Sequence, residues 1–196
     1  MAARNRTSRV HRIIIAGFGG QGVLTIGKVL CAAAISEGKE VTYLPSYGSE
    51  VRGGTANCHV TISDGQIFSP AIEVADSAII MNRPSFEKFG KIVGPGGIVA
   101  LNTSLVDAGG YAGSQKVTLI PIRATDLALE MGNIVVANVL LLGAFNKAVA
   151  ACRMESIEQA LRDLMAGRKS SGLELNLKAL SEGARLADEL LRAGNR

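Results

Sequence analysis

The stretch Ile13-Ile14-Ile15-Ala16-Gly17-Phe18-Gly19-Gly20-Gln21-Gly22 decides the architecture. Its β-branched run, with no polar alternation, reads as a strand buried on both faces, as strands inside parallel sheets are. The run stops at a glycine-rich turn, and Val23 to Ile35 follows with apolar residues at helical spacing. Gly38 ends that helix, and Glu40-Val41-Thr42-Tyr43-Leu44 reads as a second strand. Strand, turn, helix and strand in this order make a βαβ unit, whose crossover is right-handed.

Beyond this unit, Pro45-Ser46-Tyr47-Gly48-Ser49-Glu50-Val51-Arg52-Gly53-Gly54-Thr55 has no periodicity and falls at the second strand's carboxyl end. His59–Ser63 and Gln66–Phe68 flank Asp64-Gly65, a dipeptide that type I′ turns favour, which predicts an antiparallel hairpin there. Ser77–Met81 reads as a strand ending at Asn82-Arg83-Pro84, followed by a short helix to about Val93. Gly94-Pro95-Gly96-Gly97 reads as a turn, and Ile98–Leu101 and Val117–Ile122 as strands.

The remainder is helical: a short piece at Leu127–Met131, an almost wholly apolar helix from Ile134 to about Ala151, and Ile157–Met165. A last helix carries the stripe Leu177, Leu180, Ala184, Ala187 and Leu191. The fold class that follows is α/β, a single three-layer α/β/α sandwich with a Rossmann-like mixed sheet containing an antiparallel hairpin. The expected organisation is a basic flexible leader over 1–12 and one domain over 13–196.

Composition agrees with one well-packed domain: 196 residues, 47% hydrophobic, only 4% aromatic, with 23 Gly and no Trp. The net charge of +4 is local. Arg4, Arg6, Arg9 and Arg12 precede the first strand with no acid among them, which leaves 17 Lys/Arg against 17 Asp/Glu in 13–196. A nucleic-acid-binding domain carries its positive charge on the fold itself, so nucleic acid is not an expected partner. The leader lacks the apolar core of a secretion signal. Ile134–Phe145 is too short and interrupted to span a bilayer, so the expected location is the cytoplasm, away from the membrane. Cys31, Cys58 and Cys152 are widely spaced, and His11 and His59 are the only histidines, so neither a metal site nor a Ser-His-Asp triad is expected.

Gly17-x-Gly19-x-x-Gly22 has the form of a dinucleotide fingerprint, in which glycines allow a tight turn and free N–H groups at a helix start attract phosphate. The full fingerprint also needs an acid at the end of the second strand, and here no acid precedes Glu50. The glycines therefore have two readings, phosphate cradle or close-packed turn. The Ser46–Thr55 loop sits where open α/β sheets bind ligands; Arg52 is suited to a carboxylate or phosphate, and Gly53-Gly54 to close main-chain approach.

The Gly17–Gly22 turn followed by Pro45-Ser-Tyr-Gly-Ser-Glu-Val-Arg-Gly-Gly-Thr-Ala-Asn-Cys58 resembles the gamma subunit of 2-oxoacid:ferredoxin oxidoreductases, the pyruvate, 2-oxoglutarate and 2-ketoisovalerate enzymes. The likeness continues through Ile62-Ser63, Met81-Asn82-Arg83-Pro84-Ser85, Gly96-Gly97, Ile120-Pro121 and Asn138-x-x-x-x-Gly143-Ala144. The family usually has Pro where this chain has Ser49, and often Gln where it has Arg83. The activity that the resemblance implies is coenzyme A-dependent oxidative decarboxylation of a 2-oxo acid to acyl-CoA and CO2. Thiamine diphosphate with Mg²⁺ supplies the decarboxylation, and iron–sulfur clusters pass electrons to ferredoxin.

The chain has neither a G-D-G…N segment nor a C-x₂-C-x₂-C-x₃-C run, so these cofactors are expected on alpha, beta and ferredoxin-like delta partners, with no catalytic residue and no metal here. The cofactor-facing residues implied are Gly17, Gly19, Gly20, Gln21, Gly22, Ser46, Tyr47, Glu50, Arg52, Gly53 and Gly54. The isolated chain is expected to be inactive and to self-associate, with the apolar helix from Ile134 one candidate surface. An indolepyruvate oxidoreductase-type subunit and a stand-alone nucleotide-binding dehydrogenase are the alternatives.

Overall fold

The structure, a computed structural model, describes residues 9–47, 55–107, 109, 117–166 and 170–194; the side chains of Tyr47, Ser170 and Ser171 are not described. Among these residues, six strands form one sheet: β1 Val10–Phe18, β2 Glu40–Tyr47, β3 Thr55–Ser63, β4 Ala75–Ile80, β5 Val93–Asn102 and β6 Thr118–Ile122. Their order is β2-β3-β1-β4-β5-β6. β1, β4, β5 and β6 pair in parallel, whereas β3 is antiparallel to both β1 and β2. Ile13, Ile14 and Ile15 are fully buried, as a central strand covered on both faces requires.

The helices are α1 Val23–Ser36, α2 Arg83–Phe89, α3 Ala124–Glu130, α4 Ala137–Val149, α5 Met154–Leu164 and α6 Ser170–Gly194. α1 and α4 cover one face of the sheet, with α5 and α6 packed on them; Ile13, Ile15, Ile26, Leu30, Leu140 and Phe145 anchor this core. α2 covers the opposite face, over Ile14, Ile80, Val99 and Leu101. The sandwich is therefore three-layered, as the sequence predicts, but lopsided. Every residue of α4 from Ala137 to Asn146 is buried, so the apolar character of that stretch is explained by the core. Burial of each of its leucines contributes roughly 1.5–3 kcal/mol.

α4 and α6 approach closely at two glycines. A Cβ on Gly143 would lie 2.0 Å from the Leu180 carbonyl oxygen, and one on Gly183 would lie 1.9 Å from the Leu140 carbonyl oxygen.

Three local expectations are corrected. The sheet contains an antiparallel hairpin, but it joins β2 to β3, in register from Glu40↔Ser63 to Tyr47↔Ala56. Residues 66–68 form no strand, because both edges of β3 are already occupied by β1 and β2. The chain instead turns away at Asp64-Gly65, with the Gly65 N–H donating to Ser63 Oγ at 3.1 Å, and leaves Phe68 90% exposed. Second, Gly94–Gly97 is not a turn before a strand but lies within β5, where the pairing jumps from Ala75↔Val93 to Ser77↔Ile98. A bulge absorbs the extra residues, and Gly96 takes φ +77° there. β1 also begins earlier than expected and takes in Val10–Arg12.

Candidate functional site

β1 leads into α1 on one face of the sheet and β4 leads into α2 on the other, so their carboxyl ends bound a topological switch point, where open α/β sheets bind ligands. The glycine turn forms one wall. Gln21 closes it on itself: the Gln21 N–H donates to the Phe18 carbonyl at 3.1 Å, and the Phe18 N–H donates to Gln21 Oε1 at 2.7 Å. Gly17 has no room for a side chain, since a Cβ would meet Gln21 Oε1 and Val23 Cγ2 at 2.8 Å. Gly20 has φ +97° and open space around it. Gly22 caps α1 with φ +74° and no side-chain cap of its own.

The opposite wall is Asn82. It caps α2 by accepting from the Ser85 N–H at 2.9 Å, and its Nδ2 reaches across to Gln21 Oε1 at 3.4 Å. Asn102, at the end of β5, donates to the Met81 carbonyl at 3.2 Å and to Thr125 Oγ1 at 2.8 Å. Asn138, on α4, donates to the Gly22 carbonyl at 3.2 Å. All three asparagines are at most 5% exposed. The crevice is thus floored by amides that hold the strand ends together.

Of the residues singled out in the sequence, Gly17, Gly19, Gly20, Gln21 and Gly22 lie together in this wall. Ser46 is exposed at the same end of the sheet but stands two strands away, through the register Ser46↔Asn57 and Asn57↔Ala16, roughly 10 Å at the usual strand spacing. Tyr47 closes β2, and its side chain lies outside the described residues, as do Glu50, Arg52, Gly53 and Gly54. The three asparagines are not among the site residues that the sequence points to, although Asn82 and Asn138 fall in the motifs shared with the family. Asn82 carried a signal, because Asn before Arg-Pro is a helix-start signature. Asn138 is one of two buried asparagines in the apolar α4 and belongs to the Asn138-x-x-x-x-Gly143-Ala144 motif.

Among the described residues, the contacts that build this crevice are hydrogen bonds. Every hydrogen bond named above is made by an amide, a hydroxyl or the main chain. Arg83 projects into solvent from α2 and pairs with Glu87 at 2.9 Å. Burial pushes the thiols of Cys31 and Cys58 up to about 12 and that of Cys152 to about 11, which suits packing rather than nucleophilic or cluster-ligating roles. Among the described residues, no three His, Cys, Asp or Glu side chains are grouped to hold a metal ion. None of their helices is long and apolar enough to cross a membrane.

Against known proteins, the profile of the pyruvate ferredoxin/flavodoxin oxidoreductase family matches residues 12–186. The chain is 38% identical over 177 residues to ketoisovalerate oxidoreductase subunit VorA of Methanothermobacter marburgensis, which covers 90% of this chain but 36% of that protein, so it spans only about a third of that relative's length. It is 32% identical over 189 residues to 2-oxoglutarate synthase subunit KorC of Methanocaldococcus jannaschii, covering 95% of this chain and 99% of that one. Among solved structures it resembles the gamma subunit of a keto/oxoacid ferredoxin oxidoreductase from Geobacter sulfurreducens, with a TM-score of 0.76 and 26% identity over 91% of this chain and 99% of that one.

Proposed function

The chain belongs to the pyruvate ferredoxin/flavodoxin oxidoreductase family, and from that premise we propose that it is the gamma-type component of a cytoplasmic 2-oxoacid:ferredoxin oxidoreductase. The observation that carries this reading is the end-to-end likeness to KorC, a subunit of the same size. The assembled enzyme oxidatively decarboxylates a 2-oxo acid to acyl-CoA and CO2 and passes the electrons to ferredoxin. Thiamine diphosphate, Mg²⁺ and the iron–sulfur clusters belong to alpha, beta and delta companions. The dispersed, buried thiols of this chain do not fit cluster ligation, and no step of the chemistry is assigned to its side chains.

What the chain contributes is a rigid wall. The interior of the glycine turn is filled by its own Gln21 and does not fit a dinucleotide pyrophosphate, which disfavours a stand-alone dehydrogenase. Its outer surface, at Gly20 and at the exposed Ser46 and Thr55, has room for a phosphate or for a companion's main chain. Arg52, in the loop between Ser46 and Thr55, supplies the charge that would favour the coenzyme A phosphates there.

The test is co-purification with the companion chains, followed by viologen reduction with pyruvate, 2-oxoglutarate, 2-ketoisovalerate and indolepyruvate. Coenzyme A-dependent reduction by the assembly, with none by this chain alone, is expected. Turnover of indolepyruvate alone would move the chain to that branch, and activity of the lone chain would overturn the reading. In the assembly, Arg52→Ala raises the KM for coenzyme A roughly 10- to 150-fold if the guanidinium makes a charge-assisted contact of about 1.5–3 kcal/mol. An unchanged KM together with unchanged assembly would remove Arg52 from the site.

A further inference from the structure

Three large aliphatic side chains stand in water within seven residues: Leu129 is 58% exposed, Ile134 52% and Val135 66%. They do not lie on a frayed end. The Gly132 N–H donates to the Leu129 carbonyl at 2.9 Å, the Asn133 N–H to the Ala128 carbonyl at 3.0 Å, and the Val135 N–H to Asn133 Oδ1 at 3.1 Å. The ridge is therefore held by the end of α3 and the 3₁₀ turn Ile134–Val136. Glu130, at the end of α3, is the one charged residue within the ridge, and none follows from 131 to 146. Other exposed aliphatics, such as Ile35, Leu44 and Leu105, stand singly on separate elements, which needs no explanation.

The ridge leads directly into α4, whose Asn138 is bonded to the glycine turn. A candidate occupant follows from the comparisons. In the ketoisovalerate relative this domain accounts for 36% of a longer chain, whereas the 2-oxoglutarate relative is this domain almost throughout. The same fold thus occurs both joined to a further two thirds of polypeptide and without it. A domain that works beside such a companion without a covalent link must present it an ordered, desolvatable face.

We propose that the Leu129–Val135 ridge is the seat of that companion, the polypeptide corresponding to the part of the ketoisovalerate relative that this chain does not match. This rests on the reading of the chain as one component of a larger enzyme. The companion meets the ridge with an apolar patch that leaves Glu130 at its solvent-facing rim.

The test tags this chain in its source organism and measures the companion, identified by its peptides as similar to the unmatched part of VorA, recovered per tagged chain. The double variant Ile134→Lys/Val135→Lys is expected to recover at least tenfold less companion. The melting temperature of the free variant should stay unchanged, because both side chains already face water. Phe68→Lys, at the opposite end of the sheet, keeps full recovery. The second readout is hydrogen exchange: amides of 129–135 slow down in the complex relative to the free chain. If the double variant recovers as much companion as wild type, or those amides exchange equally in both states, the ridge is not the seat and the larger reading stands. If the wild-type chain recovers no such companion, the larger reading itself fails.

Discussion

Asn138 and Gly22, 116 residues apart, are built around one another. The amide of Asn138 donates to the Gly22 carbonyl at 3.2 Å, and its Nδ2 stands 1.9 Å from where a Cβ on Gly22 would lie. One contact thus joins the start of α1 to α4 and explains why the last glycine of the turn is a glycine. Two costs meet in Gly22→Ala: φ +74° disfavours a side chain by about 1 kcal/mol or more, and the new methyl collides with Asn138. We expect a loss of at least about 2 kcal/mol in urea unfolding. Asn138→Ala alone should cost about 1–3 kcal/mol through the lost hydrogen bond. The double variant should be more stable than the sum of the two losses predicts, because removing the amide relieves the clash. Strict additivity would show that the two residues do not meet.

The filled glycine turn predicts an absence of nucleotide binding. The Phe18 N–H at the turn is spent on Gln21 Oε1, and β2 ends without an acid to hold a ribose. Isothermal titration of the free chain with NAD(H), NADP(H) and FAD should give no saturable heat. Binding tighter than about 10 μM, roughly −7 kcal/mol, would mean that the turn opens to take a dinucleotide.

The α4–α6 crossing predicts large effects from very small additions. Gly143→Ala and Gly183→Ala each push a methyl into main chain, at Leu180 and Leu140, which cannot rotate away as a side chain could. Each should cost about 1–3 kcal/mol or more, or roughly 2–4 °C of melting temperature per kcal/mol in a chain of this size. Gly172→Ala in the same helix, where a Cβ comes no closer than 3.4 Å to the end of Met165, should be neutral or slightly stabilising, since alanine favours helix. Equal melting temperatures for all three variants would refute the close crossing.

Stability should fall in two steps as pH drops. Burial holds the imidazoles of His11 and His59 below their ordinary value, so folded protein resists their protonation. A lowered folded value contributes stability above the unfolded value, near 6.5, and that stability is lost as pH falls past it. Glu37 follows at lower pH. Burial opposes its charge, but the Arg153 N–H at 2.6 Å, Lys39 Nζ at 3.0 Å and the Ser156 hydroxyl outweigh that and set it below the usual glutamate value. Its contribution is complete above the unfolded value of about 4.3 and disappears as pH falls through the lowered one. Glu37→Gln should lower stability at pH 7 and flatten the acid limb below pH 4.5 while leaving the limb near pH 6 intact. A variant whose acid limb keeps its slope would assign that limb to other carboxylates.

Much was legible in the residues alone because it depends on near neighbours. The all-apolar Ile13–Ala16 run, the glycine start of α1, the Gly38 stop, the Asn82-Arg83-Pro84 helix start and the α6 stripe each follow from backbone sterics, capping or a period of 3.6. The paired motifs around the glycine turn and Ser46–Thr55 likewise pointed to the family. What tertiary structure decided is which surfaces meet. Asp64-Gly65 is a sound hairpin signal, yet no hairpin forms there, because whether a strand can pair is set by which edges its neighbours have already taken. Gly94–Gly97 would suit a turn equally well, and only its alignment against β4 makes it a bulge. Gly143 and Gly183 look like helix weaknesses until the two helices that cross at them are seen together. Asn138 became a site residue only when folding brought it to Gly22. Local conformation is written in torsional preference, which each residue carries with it, whereas pairing and close approach depend on excluded volume and hydrogen-bond competition between segments distant in the chain.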